Sequence, residues 1–401
     1  PSENQTLRAI FAYAEKNNSP SYRLVNGSII GNEQYTASIG ARPQWLEIAS
    51  NPNKREIVGA AIDASSDVNA RVWNGNSWGN LKELTKSSRS NYKSIDAAYE
   101  SLSGDALVIY SDLSGTASQD MIPRYNIWNG ISWSAQAQAS SVGAGPTAIE
   151  LASNPNKDEI ILVTNDDAAD INAQVWNGNS WSSPAELSPN AFSTGQPFDA
   201  EYESISGDGL IVYTNGTDKR IYYRIVNNGT IGVEQIGPAL GNRGRMYNLI
   251  SNPKSDEIIL MVIDNDADTR ILVWNGNSWS DKGEVSTNTQ STTYMGIAGA
   301  YESNSGDAVL VYSNNQATPK FRVWDGVTLS PQQNGALGQD IPRWMKMASN
   351  PNTDELFLIA NTRNNHADAH YWSGSSWART SLSTANSTST RAGIAVDYET
   401  S

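Results

Sequence analysis

Apolar residues fall along this 401-residue chain in short bursts. Runs such as Ala106-Leu107-Val108-Ile109-Tyr110 and Ile160-Ile161-Leu162-Val163 are rich in β-branched and aromatic side chains. Asn, Gly, Pro, Asp and Ser interrupt them every 8 to 12 positions, and no amphipathic 3.6-residue period runs through the chain. Short strands joined by tight turns give this pattern, which predicts an all-β fold.

The bursts repeat. Val-Trp-Asn-Gly-Asn-Ser-Trp or a close variant begins its Trp pair at Trp73, Trp176, Trp274 and Trp372, positions 103, 98 and 98 residues apart. Between these lie Tyr99-Glu100-Ser101, Tyr202-Glu203-Ser204, Tyr301-Glu302-Ser303 and Tyr398-Glu399-Thr400. Ser-Asn-Pro recurs at Ser50, Ser153, Ser251 and Ser349, each time followed by an acidic residue and an apolar strand. Every unit of about 100 residues thus holds two halves, A and B, each with four strands. In the A half at 145–190 the strands are Ile149–Ala152, Glu159–Val163, Ala173–Trp176 and a fourth from Ser180-Trp181, with Asn177-Gly178 as a two-residue hairpin turn.

Four-stranded units of this length are propeller blades. The chain stops just after the first strand of a B blade and begins with residues that supply the rest: Leu7–Tyr13, Tyr22–Val25 and the Asn26-Gly27 turn. The reading is a closed eight-bladed β-propeller made of four two-blade repeats, a single domain over 1–401. Its blades lie near 42–91, 92–144, 145–195, 196–244, 245–294, 295–341, 342–391, and 392–401 joined to 1–41. Closure removes the exposed sheet edge of an open array.

Composition narrows the function. A net charge of −14 repels phosphate backbones and anionic lipid, so no nucleic-acid partner is expected. No apolar stretch approaches the 18 residues needed for membrane insertion as a helix. With 0 Cys there is no disulfide and no thiol chemistry. Thirteen Trp and 17 Tyr against 5 Phe suit half-wet β surfaces and sugar-facing sites. No Gly-rich phosphate loop, Ser/His/Asp set or His-Glu-x-x-His occurs.

A residue present in all four units points to scaffold, because one ring rarely needs four equal catalytic centres. The Trp pairs read as cross-strand aromatic pairs at a blade's outer edge. They resemble the Asp box of sialidase-like propellers only in part: Gly75 and Ser77 keep its spacing before Trp78, but Trp73 stands where that family has its Asp. Arg23, Arg224 and Arg322 sit on third strands and suggest a repeated charge pair with the Glu of the Tyr-Glu motif.

The acidic loops between strands two and three of the A blades are the candidate metal sites: Asp63 and Asp67, Asp166 and Asp170, and Asp264, Asp266 and Asp268. Clustered hard oxygens suit Ca²⁺, which takes six to eight of them; Asx turns within the loop explain the same residues without an ion. The fourth copy has Thr362 and His366 instead. Departures from symmetry mark the candidate ligand-binding residues Trp45, Trp344 and His366, the first two placed just before inner strands and near the loop face. His366 and His370 are the only histidines.

Ala98-Tyr99-Glu100-Ser101-Leu102-Ser103-Gly104-Asp105, with Ile127-Trp128-Asn129-Gly130, resembles repeats of large secreted bacterial and archaeal surface proteins, including modular adhesins and pilus-associated proteins. The resemblance implies an extracellular or cell-surface setting. Sequons at Asn4, Asn17, Asn26, Asn215, Asn228 and Asn386 fit such a setting. The expected function is a non-catalytic adhesion module that recognises a glycan or a surface protein through the loop face. The alternatives are a structural subunit of an extracellular filament or envelope layer, and a carbohydrate-active hydrolase or lyase with a carboxylate cluster in the central pocket.

Overall fold

The computed structural model describes residues 8–386 and 390–400; the Asn4 sequon lies outside them. Eight antiparallel sheets form, each built on four strands in sequence order from the axis outward. Seven are continuous in sequence, with innermost strands at Pro43–Ser50, Ile95–Tyr99, Pro146–Ser153, Phe198–Tyr202, Gly244–Ser251, Ile297–Tyr301 and Pro342–Ser349. We number these blades 1 to 7, odd for type A. In blade 8 the innermost strand is Ile394–Tyr398 and the next is Arg8–Tyr13, paired from Ala9↔Tyr398 to Tyr13↔Ile394. Each innermost strand touches the next around a closed ring. The expected eight-bladed closure is therefore what forms. No helix long and apolar enough to cross a membrane occurs among the described residues.

In blades 1 to 7 the second strands, such as Ala106–Tyr110 and Ile258–Asp264, are buried along their whole length, because both faces pack against neighbouring blades. Continuous apolar runs are the sequence trace of that double burial. The A-blade hairpins differ from expectation. Trp176 faces Trp181, so the loop has four residues, Asn177 to Ser180. Only Gly178 takes a positive φ, +87°, while the Asn177 side chain accepts the N–H groups of Asn179 and Ser180 at 3.1 and 2.9 Å. Asn177 acts through its side chain, so a second left-handed residue is not needed.

Each A-blade innermost strand carries a β-bulge near its start, between Pro43 and Trp45, Pro146 and Ala148, Gly244 and Met246, and Pro342 and Trp344. Just beyond it, a backbone N–H crosses to the preceding B blade: Leu46 to Ala392, Ile149 to Lys93, Tyr247 to Gln196 and Met345 to Met295. The bulge re-aims the strand so that this inter-blade bond can form.

Candidate functional site in the central channel

The residues repeated in all four units hold blades together. Glu203 and Glu399 accept the indole N–H of Trp274 and Trp73 at 2.7 and 2.6 Å, Glu302 accepts that of Trp372 at 2.5 Å, and Glu100 that of Trp176. Each bond runs from the end of a B-blade inner strand into the next A blade. The Trp pairs form as expected, with ring centroids 5.3 to 5.8 Å apart, and a third ring (Tyr22, Tyr125, Tyr223 or Phe321) from the preceding blade packs edge-on against each.

The expected Arg–Glu charge pair is not what forms. Arg23 and Arg224 donate to the hydroxyls of Tyr13 and Tyr213 at 3.1 and 3.3 Å, and Arg322 donates to the Ser330 carbonyl at 2.9 Å. The arginines lie mid-strand on the third strand, whereas each Glu lies past the end of the first and reaches forward, away from them. Blade 8 differs: Glu399 takes Arg8 and Arg55 where Glu100, Glu203 and Glu302 take Ser103, Ser206 and Ser305. Burial pushes the carboxyls of Glu100, Glu203 and Glu302 up. At Glu399 burial is outweighed by the Arg8, Trp73 and Arg55 donors, and the carboxyl is held down.

The acidic loops are built as caps. Asp63 Oδ1 accepts the N–H of Ser65 and Asp67 at 2.9 and 3.0 Å, and Oδ2 accepts that of Ala41 at 3.1 Å. Asp166 takes Ala168 and Asp170, and Asp264 takes Asp266, Asp268 and Asn242, in the same way. The cap holds one non-glycine residue per loop in the left-handed region: Ser66, Ala169, Ala267 and Asn365 at φ of 63 to 72°. Asp264, Asp266 and Asp268 bring a carboxylate oxygen each within 4.8 Å of one another. The Asp264 oxygens are already engaged as acceptors, and Asp67 and Asp170 remain at the loop surface. In blade 7 the Thr362 hydroxyl accepts the His366 N–H at 3.2 Å, so His366 occupies the place of Asp67 in a hydroxyl-capped loop. His370 is buried in the following strand, and burial pushes its imidazole down to about 4.

Trp45 and Trp344 pack against each other, and neither offers a free face. They are 3% and 8% exposed and meet edge to face, centroids 5.3 Å apart, with Tyr294 against Trp344 at 5.7 Å. Trp344 lines the wall of the central channel. Trp45 Nε1 donates to the Ser90 carbonyl at 3.1 Å.

Below this pair the channel opens into a cavity of about 380 Å³, within the size range of small-ligand pockets. Its wall carries six carboxylates, Glu47, Asp96, Glu150, Asp199, Glu201 and Asp397, against two ammonium groups, Lys93 and Lys346. These residues break the fourfold repeat. One inner-strand position reads Glu47, Glu150, Asn248 and Lys346 around the four A blades. In the B blades Asp96 and Asp199 align with Ala298 and Ala395, and Glu201 and Asp397 with Ala98 and Ala300. Blade 6 offers only Met295, Ala298 and Gly299.

The charged groups are fixed by neighbours. Lys93 Nζ lies 2.5 Å from Glu150 and 3.7 Å from Asp96, Gln196 Nε2 donates to Glu150 at 2.9 Å, and Lys346 pairs with Glu47. Asp96 and Asp199 accept the backbone N–H of Leu151 and Leu249 at 2.8 and 2.7 Å. Burial opposes the Lys93 ammonium, but Asp96 and Glu150 hold it charged. Burial raises the carboxyls of Asp96 and Asp199, the latter also through the charge of Glu150. Burial lifts Glu201 to about 7 and Asp397 to about 6. No cation pairs with Asp199, Glu201 or Asp397 among the described residues. Sequence reasoning did not select these side chains. Aligning the inner strands of the four copies and asking where charge changes sign would have found them.

No protein-family model and no curated protein matches the sequence. Solved structures do match in fold. The BP39L lectin from Burkholderia pseudomallei aligns with a TM-score of 0.60 at 9% identity, over 85% of this chain and 99% of that one. A polysaccharide lyase, an ulvan lyase bound to -[GlcA(1-4)Rha3S]-, aligns with a TM-score of 0.51 at 12% identity, over 85% of this chain and 95% of that one. Similarity at this identity establishes the propeller architecture.

Proposed function

We propose that the protein is a non-catalytic glycan-binding module and that the sugar sits in the central channel. The carrying observation is the asymmetric, hydrogen-bonding cavity on the axis of an otherwise fourfold ring. Carboxylates, Gln196 and Asn248 suit sugar hydroxyls, and Met295 with Ala298 and Gly299 supplies an apolar wall for a sugar's C–H face. The lectin among the fold neighbours supports this reading. The lyase neighbour's ligand carries carboxylates and sulfates, and both lysines of the channel wall are already paired, Lys93 with Glu150 and Lys346 with Glu47, so neither is free to receive such anions. Titration calorimetry with neutral and charged oligosaccharides tests the proposal. Binding that is lost in Glu47→Ala and Glu150→Ala variants with unchanged melting supports it; no binding to any sugar class refutes it.

A hydrolase is the second reading, favoured by Glu201. A carboxyl lifted to about 7, beside Glu150 in its ion pair with Lys93, has the protonation of a general acid. Release of reducing ends from neutral polysaccharides, abolished by Glu201→Gln, would establish it. The extracellular, adhesive role fits either reading and rests on the repeat resemblance; labelling of intact cells with an antibody to the propeller tests it.

A further inference from the structure

Acidic residues outnumber basic ones by 42 to 28, yet arginines stand uncompensated at the end of the ring where the inner strands begin. Phe192 lies in the connection into blade 4, and Arg243 and Arg245 lie where the chain enters blade 5. Both guanidinium carbons sit over that one ring, 3.9 and 4.0 Å from its centroid. Neither arginine forms an ion pair among the described residues, whereas Arg89 and Arg363 at the same end take Asp167 and Asp340. The Nη2 groups donate to neutral acceptors, the Asn190 carbonyl at 3.3 Å and Thr194 Oγ1 at 3.1 Å. The Nη1 groups have no acceptor among the described residues and stay open to solvent. Burial pushes both guanidinium groups down, and at Arg245 the charge of Arg243 adds to it. The arrangement recurs on the opposite side of the ring. Arg391 donates to Gln44 Oε1 at 2.6 Å and to Asn91 Oδ1, both neutral, and burial with the charge of Arg42 pushes it down. Stacking on an aromatic ring offsets part of the repulsion between two guanidinium groups, but only an anion neutralises them.

We infer that the glycan recognised here is anionic, with a carboxylate or sulfate ester seated on Arg243 and Arg245 outside the acidic channel wall. The inference rests on the glycan reading above and names the sugar class. A guanidinium offers parallel N–H donors in a planar fork, which matches two oxygens of a carboxylate or of a sulfate. Thr194 and Arg245 each stand two residues before a channel-lining side chain, Gln196 and Tyr247, a rise of about 7 Å along a strand. A sugar in the channel can therefore keep its neutral ring against the wall and its charged group on the arginines. The net charge of −14 disfavours a polyphosphate at the same place, because the rest of the molecule repels a long anionic backbone.

The test is calorimetry on the intact protein with oligogalacturonate and its methyl ester, with sulfated and unsulfated dextran oligomers, and with sodium sulfate. An anionic sugar should bind about tenfold tighter than its neutral counterpart and than sulfate ion, and added salt should erode that preference. A preference within the galacturonate pair assigns a carboxylate, and one within the dextran pair a sulfate ester. The double variant Arg243→Gln, Arg245→Gln, checked by its melting curve, should lose the preference and leave affinity for the neutral sugar unchanged. The double variant Arg243→Lys, Arg245→Lys keeps the charge without the fork and should retain only part of the preference. Equal affinity for charged and neutral sugars in both pairs overturns the inference while the glycan reading stands, and so does a preference that survives the glutamine variant. Sulfate ion bound as tightly as the anionic sugars overturns it too, since the sugar is then irrelevant. No binding to any sugar overturns both.

Discussion

Glu203 and Trp274 stand 71 residues apart in sequence, yet the indole N–H of one meets the carboxylate of the other at 2.7 Å in the interior. Removing the acceptor strands a buried donor, which is costlier than losing the net value of a bond. Glu203→Ala is expected to cost about 1–3 kcal/mol in urea unfolding, and Glu203→Gln, which keeps an acceptor oxygen, clearly less. That Glu203 is architectural was legible from its fourfold recurrence. Its partner was not, because arginine is the obvious mate for a glutamate in sequence, while the strand direction aims the side chain into the next blade. Trp45 shows the same limit. Its departure from the repeat marked it as special, but nothing local shows that Trp344, 299 residues on, would cover its face.

At the scale of elements, the acidic loops and the bulged inner strands are the recurring devices. In the Asp264 loop one carboxylate satisfies three backbone N–H groups and holds Ala267 at φ +67°. Asp264→Ala should therefore lower stability by about 1–3 kcal/mol, read in the same urea assay. If capping is the whole role, the wild-type melting temperature is the same in calcium and in chelator; a calcium-dependent rise would place an ion at Asp264, Asp266 and Asp268. The loops were legible as Asp-rich and as lying on the face of the blade connections. The choice between cap and ion ligand depends on where individual oxygens point, which spacing does not encode. The bulges left no trace in the pattern of apolar residues, since Pro43, Pro146, Gly244 and Pro342 share position but not type.

The whole molecule was the most legible level, because four copies of one pattern and a split blade determine a ring. The channel was the least legible. Its residues differ between copies and so carry no repeat signal, and each inner strand contributes only one or two of them. The channel nevertheless governs how the molecule responds to pH. Glu201 and Asp397 are raised in the folded state, so their contribution to stability is complete below the ordinary carboxylate range and is lost as pH rises through about 6 for Asp397 and about 7 for Glu201. His370, lowered to about 4, and Glu399, held down by its arginines, act with the opposite sign and lose stability as pH falls. At about pH 6.5 an unfolded histidine is already half neutral, so the opposing contribution fades above it and the channel acids dominate. Melting temperature should fall between about pH 6.5 and 8, and Glu201→Gln should flatten that slope.

Blade 8 joins the two ends of the chain in a particular geometry. Ala9 pairs with Tyr398, and Arg8 is bound to Glu399, so both ends leave the sheet at the same end of one antiparallel pair. Tension between whatever is attached before Arg8 and after Thr400 does not shear this ladder. It peels the rungs one at a time, beginning at the Glu399 clasp. The other seven blades have no such seam, because their strands are continuous along the chain. Under load the ring has one weak joint and seven sound ones, and the clasp of Glu399 with Arg8, Arg55 and Trp73 sets the force at which the disc unrolls.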